Sequence, residues 1–166
     1  MRNLQSYYQE CREMLDIINV PYGRIKEVVV NGRANSRWGS CKRSGQGYVI
    51  EINPVLLSEK VEEKALYNTL MHEILHTIDF NDGHGRVWRS WACKVNNEYG
   101  LDIKRCDGDK DSTAKKMLED RRIIKYVIGC PCCGKRYEYQ KRSQAVQHPE
   151  HYRCGRCGSA LELIQG

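Results

Sequence analysis

No apolar run in this chain is long enough to cross a bilayer. The first twenty residues, MRNLQSYYQECREMLDIINV, carry charges every few positions where a signal peptide would have its apolar core. Secretion and membrane partnership are therefore not expected, and the sequence reads as a cytoplasmic monomer. Internal repeats and low-complexity tracts are also missing, which excludes solenoids and disordered arrays. Phenylalanine is nearly absent: one Phe stands against ten Tyr and three Trp. Tyr and Trp serve half-buried or ligand-facing surfaces, so this bias points mildly to a binding surface. The spacing of a secreted disulfide framework is missing as well. Of nine Cys, five fall in two tight clusters, Cys130/Cys132/Cys133 and Cys154/Cys157, and the other four are scattered. That is metal-ligand spacing in a reducing compartment.

What is present suits one domain of ordinary size plus a small appendage, since 166 residues hardly bury two full cores. The net charge of +6 is uneven. Residues 1–100 hold 13 Lys+Arg against 12 Asp+Glu, and residues 101–166 hold 14 against 9. Zinc on three neutral His would add two charges to the first part, and zinc on four thiolates would remove two from the second, leaving both near +3. The whole chain is basic, so nucleic acid or another polyanion is a plausible partner.

In chain order, the stripe Leu4, Tyr7, Tyr8, Cys11, Leu15 and Ile18 predicts a helix, ended by Pro21 and Gly23. Residues 25–30 predict a strand closed by Asn31-Gly32, with further strands at 34–41 and 48–52. Their hairpin-like links predict a small antiparallel sheet. A helix is expected over 61–80, capped by Ser58, and another over 85–99 with Val87, Trp88, Trp91, Ala92, Val95 and Tyr99 on one face. Residues 101–121 turn polar. The loop from Cys106 to Asp111 and a loose helix with only Ala114, Met117 and Leu118 as apolar groups read as a linker. A strand over 123–128 then leads into Cys130. The expected fold is α+β: a helical domain with a small antiparallel sheet over 1–105, a linker over 106–122 and a small β zinc ribbon over 123–166.

The stretch His72-Glu73-Ile74-Leu75-His76 reads H-E-x-x-H within the expected 61–80 helix. One helical turn brings residues i and i+4 to the same face, so His72 and His76 can grip one zinc ion. Glu73 leaves from the neighbouring side, where a carboxylate can take a proton from the water at the metal. A catalytic zinc needs a third protein ligand and an open position. His84, in Asp82-Gly83-His84-Gly85, is the favoured candidate, because the remaining histidines, His148 and His151, lie in the tail. Reaching the metal requires the 81–83 turn to fold the chain back, which the flanking glycines permit. Cys41 is the rival ligand, from an upstream strand. Arg86, Tyr67 and Tyr99 are candidates to hold a developing oxyanion. Asp79 and Asp82 are either partners of the histidine N–H groups or solvated turn carboxylates. Trp38 is either core or part of a strand that pairs with an extended peptide.

The tail carries Cys130-Pro-Cys-Cys133-Gly134 and Cys154-Gly-Arg-Cys157-Gly158, two C-x-x-C-G knuckles. Cys130, Cys133, Cys154 and Cys157 are expected to hold a structural zinc, each glycine allowing the turn that aims backbone N–H groups at sulfur. Cys132 is left out of the set. Between and beside the knuckles, Lys135, Arg136, Tyr137, Lys141, Arg142 and Arg153 interleave cations with aromatic rings, a composition suited to nucleic-acid contact.

The H-E-x-x-H helix followed by Gly83-His84-Gly85, with Trp88 and Trp91 one and two turns on, resembles the SprT/Spartan-type zinc metalloproteases. Trp38-Gly39-Ser40-Cys41 resembles the strand motif of related minimal zincins. The resemblance covers residues 1 to about 105, and the tail is similar to the zinc ribbon of SprT proteins. It implies a peptidase of minimal zincin fold in which His72, His76 and His84 bind zinc and Glu73 activates water. Eukaryotic members of that family cleave proteins crosslinked to DNA. The expected activity is thus zinc-dependent peptide-bond hydrolysis on a protein or peptide substrate, with one catalytic and one structural Zn2+ and with recruitment to DNA. The alternatives are a non-proteolytic zinc-ribbon adaptor for nucleic acid, or a zinc amidohydrolase that does not act on peptides. Glu73 argues against a dead enzyme, since a purely structural zinc has no need of that carboxylate.

Overall fold

In the computed structural model, which describes residues 1–34, 36–105 and 112–166, Asn3 starts the first helix. Its side-chain oxygen accepts from the amides of Gln5 at 3.0 Å and Ser6 at 3.3 Å, capping α1 (Leu4–Ile17). The apolar stripe behaves as its spacing predicts, with Leu4, Cys11 and Leu15 buried. The chain divides into two compact units, Met1–Asp120 and Arg121–Gly166.

In the first unit, β1 (Ile25–Val30), β2 (Gly39–Ser44) and β3 (Gly47–Ile52) form one sheet in the order β1-β3-β2. The sheet is mixed, correcting the antiparallel expectation: β2 and β3 form a hairpin, whereas β1 runs parallel to β3. The Asn31 turn does not fold back onto β1. It carries the chain past the position that β3 later fills, and Asn31 N–H donates to the Ile52 carbonyl at 2.9 Å. The strand expected at 34–41 starts only at Gly39. Asn53, almost wholly buried, donates its side-chain amide to the carbonyls of Ala34 (2.8 Å) and Arg37 (3.0 Å), which ties this stretch into a loop instead of a ladder. Asn35 lies outside the described residues.

Behind the sheet, a 3-10 turn over Pro54–Leu57 buries Val55, Leu56 and Leu57 and leads to α2 (Glu63–Leu75). This helix is buried on nearly every side, from Ala65 and Leu66 through Leu70, Met71 and Ile74, and forms the centre of the core. Truncating Leu70 or Ile74 to Ala there would cost about 2–5 kcal/mol. The helix is shorter than the predicted 61–80. Glu62 occupies its N-cap, where no side chain caps the helix, and Ser58 instead closes the preceding turn. At the other end Thr77 donates its hydroxyl to the Ile74 carbonyl at 2.7 Å and accepts Gly23 N–H at 2.8 Å, so the chain leaves the helix after Leu75. His76 caps it with φ −63° and ψ −18°, still right-handed helical, which preserves the i, i+4 relation to His72.

The helix α3 (Arg86–Tyr99) buries Trp88, Ala92 and Val95 and stops at Gly100, whose φ of 60° is the left-handed cap that glycine adopts without strain. Val87 faces outward, 40% exposed, contrary to the expected face. The segment read as a linker contains α4 (Ser112–Asp120), which belongs to the first unit. Ala114 and Leu118, spaced one turn apart, are buried and Met117 packs against the same core, so a few apolar residues suffice where a prepared surface receives them. The polar loop 106–111 lies outside the described residues.

The second unit holds β4 (Tyr126–Gly129), β5 (Arg136–Tyr139), a short α5 (Gln144–Gln147), a 3-10 turn over Pro149–His151 and β6 (Glu162–Gln165). Its sheet is antiparallel in the order β5-β4-β6. Its buried hydrophobic cluster is Ile128, Cys130, Val146, Cys154 and Leu161, and two of those five are cysteines. A core this small needs a staple, and the four clustered cysteines are compatible with a zinc ribbon. Among the described residues no helix is long and apolar enough to cross a membrane.

Candidate metal centres

α2 delivers His72 and His76 on one face, as the local helix geometry requires. The turn that follows brings the chain back. Asp79 accepts the amides of Asn81 (3.2 Å) and Asp82 (3.3 Å), and Gly83 takes a φ of 57°. Asp82 reaches forward to the amide of Trp88 at 3.5 Å in the first turn of α3. Both aspartates are thus turn carboxylates. A side chain at position 85 would have its Cβ 1.8 Å from an Asp82 carboxylate oxygen, so Asp82 keeps this position only beside a glycine. The result is convergence. His72 Nε2 lies 3.2 Å from His76 Nε2 and 2.9 Å from His84 Nε2, with 3.1 Å between His76 and His84.

Three neutral imidazoles cannot satisfy one another at these separations, because each carries only one ring proton to share. Three nitrogens bonded at about 2.0 Å in a tetrahedral set lie roughly 3.3 Å apart, so the trio fits a metal ion of that size. His72 Nδ1 donates to the Lys104 carbonyl at 3.0 Å. A carbonyl can only accept, which fixes the His72 tautomer and leaves Nε2 with its lone pair turned to the trio. Burial first, and the neighbouring His84 second, push His76 down to about 4, favouring the neutral ligand form. Trp88 lies under all three rings, with centroids 4.8, 5.8 and 4.7 Å from those of His72, His76 and His84. It gives the trio an apolar floor and is itself 4% exposed.

Glu73 is 7% exposed and sits beside the start of β2. A Cβ on Gly39 would lie 2.8 Å from both Glu73 Cγ and Oε1 and 2.9 Å from a Thr69 methyl. The strand backbone therefore presses against the carboxylate, and Gly39 is the residue that lets it. Cys41, two positions along β2, has its thiol pushed up to about 12 by burial and by the Glu73 charge. His72, His76 and His84 form a group that could hold a metal, and Cys41 is not part of it. Of the oxyanion candidates, Tyr67 donates its hydroxyl to Glu10 and Tyr99 to the Met14 carbonyl at 2.7 Å, so both are engaged with α1; Arg86 is exposed. Trp38 is half-buried and packed against the core.

In the second unit Cys130, Cys133, Cys154 and Cys157 gather their sulfurs within 4.8 Å of one another. Cys130 and Cys157 are 3.4 Å apart and Cys133 and Cys154 are 3.5 Å apart, near the roughly 3.8 Å expected of a tetrahedral four-thiolate zinc site. Gly134 and Gly158 take φ of 68° and 76°, and their amides return to the carbonyls of Cys130 and Cys154. Tyr137 and then the Arg156 amide hold Cys154 down at about 6, and the Ser159 amide leads in lowering Cys157, both toward the thiolate that binds metal. Cys132 is exposed and outside this group. Lys135, Arg136, Lys141, Arg142 and Arg153 are exposed. Tyr137 is half-buried, and its hydroxyl lies 3.5 Å from Cys154 Sγ and accepts Gly155 N–H at 3.1 Å, so it serves the cysteine cluster.

The sequence reading misses several supporting residues. The Lys104 carbonyl is held in place by two asparagines: Asn68 Oδ1 accepts Asp102 N–H at 2.8 Å, and Asn96 exchanges hydrogen bonds of 2.8 and 3.1 Å with the Ile103 backbone. Asn68 stands one turn before His72 on α2, and a buried asparagine on the face that bears a ligand was the available clue.

A family model described as the SprT-like family matches residues 11–107. A SprT-like protein of Staphylococcus epidermidis is 32% identical over 139 residues, covering 84% of this chain and 82% of its own length. Protein SprT of Escherichia coli is 26% identical over 119 residues, covering 70% and 67% respectively. The germ cell nuclear acidic protein of Drosophila melanogaster is 33% identical over 117 residues, which span 66% of this chain but only 10% of that protein. With the model matching over half of the chain, and with the histidine trio and α2 inside the matched region, this chain belongs to the SprT-like family.

Proposed function

We propose that the protein is a zinc-dependent endopeptidase with a zincin-like first unit and a zinc ribbon that brings it to DNA or to proteins on DNA. The observation that carries this reading is the buried carboxylate of Glu73, next in sequence to one of three imidazoles whose Nε2 atoms lie 2.9–3.2 Å apart. A zinc ion held by His72, His76 and His84 supplies polarisation of a scissile carbonyl and acidification of a water. Glu73 acts as the base that takes the proton from the attacking water, and then as the acid that returns it to the leaving amine. The closeness of Gly39 to Glu73 keeps that carboxylate from swinging away, and the Trp88 floor excludes water from below the imidazoles. Because β2 pairs only with β3 among the described residues, its other edge is suited to lie along an extended substrate, adding a strand beside the reacting carboxylate. Exposed Lys135, Arg136, Lys141, Arg142 and Arg153 give the ribbon a cationic surface for phosphate contact. We place the enzyme in the cytoplasm.

The test is digestion of casein and of histones by wild type and Glu73→Gln, with and without single-stranded DNA. Cleavage should vanish in the variant while its metal content is kept. Absence of Glu73-dependent cleavage under every condition would remove the peptidase reading and leave the ribbon adaptor. Cleavage indifferent to DNA would remove only the recruitment.

A further inference from the structure

The ribbon holds a third group of metal-ligand side chains, outside both centres described above. The sequence His148-Pro149-Glu150-His151 follows α5 and forms the 3-10 turn before Cys154. Its backbone is closed on itself. His148 N–H donates to the Gln144 carbonyl at 2.9 Å, His151 N–H to His148 at 3.1 Å and Tyr152 N–H to Pro149 at 2.9 Å. Pro149 is buried at the start of the turn and seats it in the ribbon. The three side chains between these anchors are all exposed.

They are arranged toward one another. The His148 and His151 rings stack with centroids 5.3 Å apart and an interplanar angle of 15°. A single Glu150 oxygen lies 3.5 Å from His148 Nδ1 and 3.7 Å from His151 Nε2, and one donor atom from each residue falls within 4.8 Å of the others. Imidazole and carboxylate ligands bonded at about 2.0–2.2 Å stand roughly 3–3.5 Å apart around one ion. The Glu150 contacts are already near that spacing, and the exposed rings of His148 and His151 have to turn out of their stack to aim both lone pairs at the ion. Ion pairing alone explains the arrangement poorly. Two imidazolium rings stacked face to face would repel, with one carboxylate to offset both, whereas two neutral nitrogens and a carboxylate are a complementary set for a divalent cation.

We propose that His148, Glu150 and His151 form a third metal site that takes a divalent transition-metal ion of the zinc class, with water in the remaining positions. Two imidazoles select against calcium and magnesium, which prefer oxygen ligands. Exposure of all three ligands makes the site weaker than the two more enclosed centres and lets it exchange, so its occupancy follows the free metal concentration. A bound ion joins the end of α5 to the turn that leads into Cys154, and so stiffens the path between the two knuckles.

The experiment uses the full chain, dialysed against buffers of rising free zinc, with zinc per chain read by atomic emission. Wild type should take up one more equivalent than the double variant His148→Ala/His151→Ala in the micromolar range, and Glu150→Gln should need more zinc to do so. Because the three residues are exposed, the variants keep the ribbon fold, which is checked by unchanged protection of the knuckle cysteines from a thiol reagent. The imidazole nitrogens of His148 and His151 should shift in 15N spectra over this last step while those of His72, His76 and His84 stay fixed. Equal zinc uptake by wild type and double variant up to roughly 100 μM free zinc would overturn the proposal. Because the readout is a difference, it does not depend on whether the histidine trio in the first unit binds zinc.

Discussion

Gly39 shows how much one missing side chain can do. The first residue of β2 has no Cβ, and the space where one would stand is filled by the Glu73 carboxylate and a Thr69 methyl. Gly39→Ala should push Glu73 aside or tilt the strand. A misplacement of about 1 Å costs on the order of a hundredfold in rate, so cleavage should fall by that order while the zinc content of the first unit is unchanged. Measuring kcat beside bound zinc separates the two effects, and loss of zinc together with activity would mean that the residue matters for folding rather than for the carboxylate. Trp88 acts at the same scale by contact alone, since it meets all three imidazoles from below.

Among the elements, the segment between α3 and residue 105 has a role its composition does not announce. It presents the Lys104 carbonyl to His72, and Asn68 and Asn96 fix it from α2 and α3. Partners of this kind are worth about 10–100-fold in metal affinity. Asn96→Ala should therefore weaken zinc binding at the trio by that order, measured by competition with a chelator, while the cysteine cluster keeps its own zinc. The sheet has a comparable tie on its outer face. Glu51 on β3 is held below the ordinary carboxylate range, first by Lys42 and then by Asn31 and Ser40, whose bonds are 2.7 and 3.1 Å long. A carboxyl with a depressed folded pKa contributes stability above its unfolded value near 4.3, and that contribution is lost as pH falls through the folded value. Glu51→Gln should thus cost about 1 kcal/mol at pH 7. The gap to wild type should close below about pH 4 in denaturant titrations.

Across the whole molecule, the two compact units rest on different forces. The first has a continuous apolar core running from Leu4 to Leu118, and the second has a small cluster of five residues, two of them cysteines. A strong chelator should therefore unfold the ribbon and leave the first unit folded. Hydrogen exchange would show this as lost protection at β4 and β5 with α1 and β3 still protected. Simultaneous loss in both units would show instead that the first unit also depends on metal for its fold.

The two groups of side chains that could hold a metal were legible as groups in the sequence because they are local. The i, i+4 relation of His72 and His76 follows from helix periodicity, and each cysteine knuckle follows from a four-residue turn with glycine at positive φ. The return of His84 was legible too, since Asp79, Asp82 and Gly83 are turn formers within one short stretch. The docking of α4 and the direction of β1 were not. A few apolar residues make a helix worth docking only if a complementary surface exists, and a strand's partner depends on where later chain inserts. The same holds for the surroundings of the trio. Gly39 against Glu73 and the Lys104 carbonyl on His72, 32 residues away, are contacts between distant parts of the chain. Periodicity and turn chemistry act over a few residues, whereas such contacts arise when α2 is buried and other elements must pack around it.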